Sequence, residues 1–597
     1  MTNLNFSIID KEFISISSSD EVSEELIEFF KKNFYTTFDG SPIKISLLSF
    51  QRKRHNFNLL NRDYEINFNF DEKFIDLING IPNFDDALDV SEIEEEIILE
   101  KIKNEDFIRI PTHNQLKNLK KLCSLKSAAS FSVPGAGKTT EALAYYAFHK
   151  NSKDSKLLVV CPINAFISWQ EEIKKCFNSK HKINRLRGTP EQLEDILMDE
   201  PEFMIINYDA LRNTKKYDII KDQLLDNQDN LTVIFDESHK IKGEKISEII
   251  LPLAPFIKTK LILTGTPMPQ AASDLRSQFG FLYPAENIIS DDEFIDAFEP
   301  IFVRTTKEQL NFKYPDIITE LHKIEPNPAF KTFYNEYIIG QVNQGYALEE
   351  IFKVSSFKKA VLRLLMFFSW PPSCLDLIYE IDEGLALRIQ EEGDGAKIDA
   401  AVKRAEELIS QGRKVVIWSS FKHVVNLVAE KFENKAVFIH GDVESESDTE
   451  SEREKFIKFD TREKKINKFK TDPSCMIFVA NPAAAAESIS LHEECDHAIY
   501  IDRTYNAGQF MQSRDRIHRL IEREKERQKF IDIYALNMPG SIEQRVHDSL
   551  NRKISNMANF LSDESLHALK GFNVIQHQDE EEAILKEDVE DLKGVFR

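Results

Sequence analysis

Two short stretches in the first hundred residues alternate between apolar and polar positions. Every second residue is apolar in 43–47 and again in 64–70, a pattern typical of strands with one buried face. Between residues 22 and 30, apolar side chains recur at helical spacing, and Asp20 is placed to cap that helix. Residues 91–100 read as an acidic helix. Together these patterns predict a small α+β module over residues 1–104.

A different rhythm begins near residue 105, where short apolar runs end in small or charged residues. The runs KLLVVCP, FMIINY, LTVIFDE and KLILTGTP are separated by helical patterns, as in a parallel sheet covered by helices, whose ligands collect at the carboxyl ends of the strands. The rhythm returns in RKVVIWSS, KAVFIHGD, CMIFVAN, HAIYID and KFIDIYAL. The sequence therefore predicts an α/β chain with one lobe over 105–310 and another over 311–560.

Two segments depart from this rhythm. Residues 442–460 are charged and begin rich in Ser, and residues 561–597 are acidic. The composition of the first segment is typical of mobile chain, and the second reads as helical or disordered sequence. We expect a mobile insertion on the second lobe and an acidic C-terminal tail.

Charge and cysteine content narrow the functional classes. The 597 residues contain 77 Lys and Arg against 100 Asp and Glu, a net charge of −23. This argues against nonspecific coating of nucleic acid but allows a narrow basic track. Six scattered cysteines form no C-x-x-C pair, so zinc ribbons and a disulfide framework are disfavoured. We see no signal peptide and no membrane-spanning run, and expect a cytoplasmic protein with no membrane partner.

A phosphate-binding loop is predicted at Ser132-Val-Pro-Gly-Ala-Gly-Lys-Thr139, between a strand-like and a helix-like segment. Its glycines allow a tight turn whose N–H groups point at phosphate oxygens. Lys138 can reach the β- and γ-phosphates, and the Thr139 hydroxyl can bind Mg²⁺. The predicted cofactors are ATP and Mg²⁺. The loop residues expected to bind them are Gly135, Ala136, Gly137, Lys138, Thr139 and Thr140.

An acidic box follows the strand TVIF at Asp236-Glu-Ser-His239. Asp236 can hold the metal, and Glu237 can orient and deprotonate the attacking water. The alternative is a solvated acidic turn, since polar residues often close an apolar strand. The position of the box, about a hundred residues after the phosphate loop, favours a catalytic role.

From these motifs outward, the chain resembles the Swi/Snf-type ATPases of helicase superfamily II. The resemblance runs from about Ile110 to Val546 and is strongest in LTGTPMPQAASDLRSQFGFLYP, with further matches at CPINAFISWQEE and QSRDRIHR. It implies a DEAD/DEAH-like helicase core of two RecA-like lobes. It also implies that Gln115 reads adenine, and that Arg516 and Arg519 are arginine fingers that stabilise charge on the γ-phosphate.

The same resemblance implies a set of nucleic-acid contacts, although each residue could instead cap a helix or lie in a core. Two basic stretches, 52–55 and 180–187, are further candidates for phosphate contact, but short charge runs are usually solvated. The implied contacts are Trp169, Asn207 and Tyr208 on the first lobe and Ser419, Ser420, Ser488 and Ser490 on the second.

One motif departs from the family. Residues 481–491, NPAAAAESISL, have Ala and Ser where the family has a Gly pair before its Gly-Ile-Asn-Leu step. Alanine does not reach positive φ cheaply. Either the turn has another shape or the coupling between DNA contact and the arginine fingers is altered. We interpret the change as a subfamily variant.

The favoured hypothesis is a nucleic-acid-dependent ATPase that moves along double-stranded DNA and remodels it or strips bound protein. A strand-separating helicase, or an ATPase stimulated by single-stranded DNA or RNA, is the alternative enzyme. A nucleotide-gated scaffold activated by a partner protein is the alternative of another class, and the changed motif favours it slightly. By analogy with compact bacterial or phage motors, we expect a role in DNA repair, restriction or antiviral defence beside proteins of the same operon.

Overall fold

The structure is a computed structural model whose contacts divide the chain into two units. One unit comprises Met1–Met268 with Ala272–Leu310, and the other Pro269–Ala271 with Asn311–Arg597. The structure describes residues 2–9, 13–18, 23–34, 42–52, 66–80, 82–177, 181–227, 229–242, 244–286, 290–310, 316–443, 460–485, 491–503, 506–518, 530–537, 542–563 and 566.

The N-terminal residues form a four-stranded sheet that packs against helices. Its strand order is β3-β2-β1-β4, with β1 and β4 parallel and the other pairs antiparallel. The strands are β1 Thr2–Ile9, β2 Phe13–Ser18, β3 Ile43–Ser46 and β4 Ile66–Phe70. The helices up to the first lobe are α1 Glu24–Phe34, α2 Leu47–Arg52, α3 Glu72–Asn79, α4 Phe84–Leu88 and α5 Glu95–Asn104.

The alternating stretches become strands largely as predicted. Ile43 and Ile45 are buried in β3, but Leu47 begins α2 instead of continuing the strand. In β4 the alternation loses its burial toward the end, where Phe70 is 45% exposed. The module core includes Phe256 from the adjoining lobe, so the module packs on that lobe through shared apolar side chains.

The first lobe is a seven-stranded parallel sheet of order β11-β5-β10-β9-β6-β8-β7. Its strands are β5 Ser127–Ser130, β6 Lys156–Val160, β7 Ile183–Arg185, β8 Phe203–Ile206, β9 Leu231–Asp236, β10 Thr259–Leu263 and β11 Phe302–Val303. Its α-helices are α6 His113–Leu122, α7 Lys138–His149, α8 Phe166–Cys176, α9 Pro190–Met198, α10 Thr214–Asp226, α11 Glu244–Ile250, α12 Asp274–Leu282 and α13 Asp291–Phe298. Short 3₁₀ helices are Ile163–Ala165, Tyr208–Arg212, Ser238–Lys242, Leu251–Phe256, Glu299–Ile301 and Glu308–Leu310.

The second lobe is a six-stranded parallel sheet of order β12-β17-β16-β13-β15-β14. Its strands are β12 Asp316–Lys323, β13 Val415–Trp418, β14 Ala436–Ile439, β15 Ile477–Ala480, β16 His497–Tyr500 and β17 Phe530–Asn537. Its α-helices are α14 Pro328–Thr332, α15 Gly340–Asn343, α16 Leu348–Ile351, α17 Phe357–Ser369, α18 Leu375–Ile381, α19 Glu383–Glu391, α20 Ala396–Ser410, α21 Lys422–Lys431, α22 Arg462–Thr471, α23 Pro482–Ala485, α24 Ala507–Arg514 and α25 Ile542–Phe560. A π-helix spans Phe333–Ile339, and 3₁₀ helices span Pro371–Cys374 and Glu433–Lys435.

The prediction of an α/β chain with two parallel-sheet lobes is confirmed. Strands buried on both faces read as continuous apolar runs, and all nine runs quoted above contain a strand. Most of the predicted insertion and of the tail lies outside the described residues, as do Asp20, Ser488, Ser490 and Arg519. None of the described helices is long and apolar enough to cross a membrane.

Candidate nucleotide site

The predicted phosphate loop connects the end of β5 to the start of α7. Gly135 and Gly137 have φ of 87° and 81°, in the left-handed region that favours glycine. A side chain added at Gly135 would meet no heavy atom within 4 Å, so the outer side of the loop is open. Lys138 donates to the carbonyls of Ser132 at 2.8 Å and Val133 at 3.3 Å, which holds its ammonium group against the loop.

Gln115 fastens the neighbouring helix to this loop. It lies at the third position of α6, where it forms a capping box with Thr112. Its Oε1 accepts from the Thr112 amide at 2.8 Å, and its Nε2 donates to the Gly137 carbonyl at 3.0 Å. The structure therefore places Gln115 beside the loop, while adenine recognition stays a prediction.

A buried polar network lies beneath the loop. The Ser132 hydroxyl, where the usual motif has glycine, accepts from the Thr305 amide at 3.0 Å. Asn118 donates to the Thr305 hydroxyl at 2.9 Å and to Glu141 Oε2 at 2.8 Å. The Ser130 hydroxyl donates to Glu141 Oε1 at 2.6 Å. One network thus joins α6, the loop, α7 and the segment after β11.

Burial shifts the pKa of two groups beside the loop, Glu141 and Lys138. It raises the pKa of Glu141 to about 7, against the hydrogen bonds from Ser130 and Asn118 and the attraction of Lys138, which lower it. Burial also lowers the pKa of Lys138, while Glu237 and Asp236 oppose that shift. The carboxylates of Asp236 and Glu237 are therefore close enough to attract the ammonium group of Lys138.

The acidic box closes β9, two strands from the phosphate loop in the sheet. Asp236 Oδ1 accepts from the Glu237 amide at 3.0 Å, and Oδ2 accepts from Trp169 Nε1 at 2.9 Å. Its backbone carbonyl accepts from the Tyr208 hydroxyl at 2.7 Å. Glu237 has a φ of 53°, which is unusual for a residue with a side chain and typical of functional turns.

The loop after β10 bridges the two halves of the site. Thr264 donates to Glu237 Oε2 at 3.3 Å, and a side chain at Gly265 would contact Pro134 of the phosphate loop at 3.2 Å. His239 Nδ1 lies 3.0 Å from the Thr264 hydroxyl. Burial, aided by two nearby lysines, holds the pKa of His239 well below its ordinary value, so this imidazole is neutral near pH 7.

Comparison with known proteins identifies the family of this site. A family model described as "SNF2-related domain" matches residues 132–369, and one described as "Helicase conserved C-terminal domain" matches residues 399–521. Together the two ranges span more than half of the chain. The chain belongs to the SNF2 family of superfamily II helicases.

Two relatives show similar sequence identity to this chain. An uncharacterized ATP-dependent helicase of Mycoplasma pneumoniae is 24% identical over 441 residues, covering 69% of this chain and 38% of the relative. The ATP-dependent DNA helicase DDM1 of Arabidopsis thaliana is 23% identical over 478 residues, covering 72% of this chain and 59% of the relative. The chain therefore spans less than two thirds of the length of these relatives.

Among solved structures, the Sulfolobus solfataricus SWI2/SNF2 ATPase core in complex with dsDNA covers 78% of this chain and 96% of its own. It shares 18% sequence identity and has a TM-score of 0.31. That TM-score is too low for the superposition to bear on the fold.

The predicted nucleic-acid contacts on the first lobe are placed differently from the expectation. Trp169 is 1% exposed and Tyr208 is 6% exposed, and both bond to Asp236. Asn207 caps the following turn by accepting from the Ala210 amide at 3.1 Å. In this conformation Trp169 and Tyr208 are interior residues, as the core and capping alternative expects. Contact of these residues with nucleic acid stays a prediction.

The second lobe gives the same result for its described pair. Ser419 and Ser420 are at most 1% exposed. The Ser419 hydroxyl donates to Asp502 Oδ2 at 2.5 Å, and the Ser420 amide donates to Asp502 Oδ1 at 2.8 Å. Asn481 donates to the Ser420 carbonyl at 2.6 Å. These serines hold strand ends together and do not present a surface to nucleic acid in this conformation.

Arg516 lies in the turn after α24, in the same lobe. Its Nε donates to the Gln512 carbonyl at 3.0 Å, and its own carbonyl accepts from the Leu491 amide at 3.0 Å. The residue that ends the altered motif is thus bonded directly to the backbone of the predicted finger. The finger role stays a prediction.

The described part of the basic stretch at 180–187 is engaged within the fold. His181 bonds to Glu202, Lys182 pairs with Asp199 at 2.8 Å, and Arg185 donates to Gln170. Of the other stretch, only Arg52 lies within a described element, the end of α2.

Two contacts beside the phosphate loop were not predicted from the sequence. One is the network that Asn118 and Glu141 form under the loop, and the other is the bond that Glu172 accepts from the hydroxyl of Thr140. Thr140 is 2% exposed, and its hydroxyl bonds to Glu172 within the fold. Its role in nucleotide binding stays a prediction. The spacing of Gln115 and Asn118 could have indicated the first contact. Residues three apart are neighbours on a helix, so Asn118 would face the loop together with Gln115.

Proposed function

We propose that the chain is a nucleic-acid-dependent ATPase, a SNF2-type motor that hydrolyses ATP and moves along double-stranded DNA. The proposal rests on one observation. The glycine loop with Lys138 and the pair Asp236–Glu237 lie together at the carboxyl ends of strands of the first-lobe sheet. The resemblance of the motifs to double-stranded DNA translocases supports DNA as the track, as does the ATP-dependent DNA helicase of Arabidopsis thaliana among the relatives.

Each residue has a definite task in this proposal. The loop N–H groups and Lys138 bind the phosphates, which requires Lys138 to exchange its bonds to Ser132 and Val133 for phosphate oxygens. Glu237 orients the attacking water and takes its proton. The carboxylate of Glu237 is already held by Thr264 at 3.3 Å, so its orientation is set by the fold.

The donors present fit a magnesium ion. Thr139 and Asp236 offer a hydroxyl and a carboxylate, the oxygen ligands that Mg²⁺ prefers. The Thr139 hydroxyl makes no hydrogen bond to any residue that the structure describes. When bound, the ion would neutralise phosphate charge. Thr139 and Asp236 are the residues that would hold it.

Steady-state ATPase activity tests the proposal. The purified protein is assayed alone and with double-stranded DNA, single-stranded DNA and RNA at one fixed salt concentration, because phosphate contacts depend strongly on salt. We expect strong stimulation by duplex DNA. Stimulation by single strands or RNA instead would indicate a strand-separating or RNA-driven enzyme.

Two variants serve as controls for that assay. Lys138→Ala should weaken ATP use, and Glu237→Gln should bind ATP without hydrolysing it. Wild-type turnover in Glu237→Gln would refute the assignment of the base. Low turnover of the unaltered protein with no response to any nucleic acid would favour the nucleotide-gated scaffold, which Ala and Ser in residues 481–491 also favour.

The proposal extends to the biological setting. We infer that the motor serves DNA repair, restriction or antiviral defence beside protein partners, by analogy with compact motors. Co-purification of the tagged protein with products of neighbouring genes, in cells with and without phage challenge, would test this. Absence of any partner and of any phenotype on deletion would contradict it.

A further inference from the structure

One helix touches both halves of the nucleotide site. Trp169 and Glu172 are three residues apart on α8, so they share a face of the helix. Trp169 donates to Asp236 Oδ2 at 2.9 Å. Glu172 accepts from the hydroxyl of Thr140, the residue that follows the predicted metal ligand of the phosphate loop, and pairs with Arg109.

Three hydrogen-bond donors hold Asp236, two at its carboxylate and one at its backbone carbonyl. Trp169 reaches it from α8, and the amide of Glu237 reaches its other oxygen at 3.0 Å. Tyr208, from the turn after β8, donates to its backbone carbonyl at 2.7 Å. Two donors therefore fix the orientation of the carboxylate, the indole of Trp169 and the amide of Glu237, and Tyr208 fixes the backbone that carries it.

Core packing accounts for the ring of Trp169 but not for the direction of its N–H group. A Phe would fill most of the same space, and Trp418 shows that this chain buries an indole without such a bond. The Trp418 ring is equally buried, and its Nε1 has no acceptor among the residues that the structure describes. The N–H group of Trp169 therefore has a role beyond burial of the ring, which is its hydrogen bond to Asp236.

We propose that Trp169 and Tyr208 are positioning residues that hold Asp236 in place for Mg²⁺, Trp169 through the carboxylate and Tyr208 through the backbone carbonyl. They set the metal affinity of the site without touching metal or nucleotide. Groups that orient a metal ligand commonly change metal affinity or activity about 10- to 100-fold when removed. The inference rests on the proposed function, because it takes Asp236 as the carboxylate of a metal–nucleotide site.

Nucleotide binding in a non-hydrolysing protein tests this inference. In the Glu237→Gln background, a fluorescent ATP analogue is titrated in EDTA and at increasing Mg²⁺. We expect Trp169→Phe to raise the Mg²⁺ concentration for half-maximal effect about tenfold, with no change of affinity in EDTA. Tyr208→Phe, which removes a single hydroxyl, should shift it in the same direction by less.

Two controls separate the possible failures. Ile173→Val trims a buried side chain on the same helix and should leave the Mg²⁺ dependence unchanged. Asp236→Asn removes the carboxylate charge and should abolish that dependence. If Asp236→Asn has no effect, the metal assignment within the proposed function fails.

If Asp236→Asn abolishes the Mg²⁺ dependence while Trp169→Phe and Tyr208→Phe keep that of the parent protein, only the positioning role of Trp169 and Tyr208 is overturned. An equal loss of affinity with and without Mg²⁺ in Trp169→Phe would assign that ring to packing and likewise overturn its role. Thermal unfolding of every variant shows whether the fold is kept. Should Trp169→Phe not fold, Tyr208→Phe decides the question.

Discussion

A single buried carboxyl links four segments around the phosphate loop. Glu141 is 2% exposed and accepts from Ser130 and Asn118. Asn118 also bonds to Thr305, whose amide holds the hydroxyl of Ser132. Removing one member of such a network leaves buried polar groups without partners, which is costly in a medium of low polarity. The shape of the loop therefore depends on residues outside the loop, on β5, α6, α7 and the segment after β11.

Glu141 predicts a pH-dependent contribution to stability. Burial raises its pKa from 4.5 to about 7, so the protonated carboxyl contributes fully below about pH 4.5, and its contribution is lost as the pH rises through about 7. The loss amounts to about 3 kcal/mol by linkage. Glu141→Gln mimics the protonated form. We expect the unfolding temperature of the wild-type protein to fall relative to the variant between about pH 5 and pH 8.

Calorimetry of both proteins across this range makes the comparison. The matched control is Glu336→Gln, the same change at an exposed position of the π-helix in the second lobe, which should track the wild-type curve. Parallel curves for Glu141→Gln and the wild-type protein would contradict the shifted pKa.

Gly137 predicts a steric effect on the same loop. Its φ of 81° strains any other residue, and an added Cβ would overlap Gln115 Nε2. Gly137→Ala should therefore lose about 1–2 kcal/mol through backbone strain and more through displacement of Gln115. Gly393→Ala is the matched control, because Gly393 has a φ of 76° and open space around it. We expect the unfolding temperature to fall further in Gly137→Ala.

A second substitution isolates the clash. In a Gln115→Ala background the overlap disappears, so the extra loss in Gly137→Ala should shrink to that of Gly393→Ala. Equal losses for the two glycine variants in the unaltered background would show that Gln115 moves aside without cost.

The altered motif of residues 481–491 begins with a short helix. Asn481 Oδ1 accepts from the Ala483 amide at 2.8 Å, and α23 follows over Pro482–Ala485. None of the described residues of this motif has a positive φ. The described part of the turn therefore needs no glycine, which supports a different local shape as the reason for the alanines.

The packing of the N-terminal module on the first lobe makes a further prediction. Phe256 is 5% exposed and belongs to the core of the module although it lies in the first lobe. Phe256→Ala should cost about 3 kcal/mol and loosen the module. We expect limited proteolysis to cut the variant between the module and the lobe faster than the wild-type chain. Phe13→Ala, at a residue that is 40% exposed, should leave the cleavage pattern unchanged.

Local patterns predicted the elements better than they predicted the contacts. The central strands and the phosphate loop are written in contiguous residues, so periodicity and spacing found them. The strands β7 and β11 have only three and two residues, too few to show a period. The bond from Trp169 to Asp236 joins positions 67 apart, and that from Asn118 to Thr305 joins positions 187 apart. No local signal carries such pairs.

The two units carry different parts of the proposed chemistry. Lys138 and Glu237 belong to the first unit, and Arg516 belongs to the second. Because the net charge is −23, the proposed motor would attract DNA only through local groups, so we expect DNA stimulation to weaken as salt rises. If the two units act as proposed, a mutation in the second unit should separate nucleotide binding from turnover.

Arg516 provides that separation. If the arginine acts on charge that develops at the γ-phosphate, Arg516→Ala should leave nucleotide binding nearly intact and abolish turnover, because such stabilisation is needed only in the transition state. Binding of a fluorescent ATP analogue and ATPase activity are measured on the same preparation. Arg413→Ala, which removes a partly exposed arginine paired with Asp496 at 3.5 Å in the same unit, should change neither. Loss of binding in Arg516→Ala would instead assign the residue to ground-state affinity or to folding, since its Nε holds the Gln512 carbonyl.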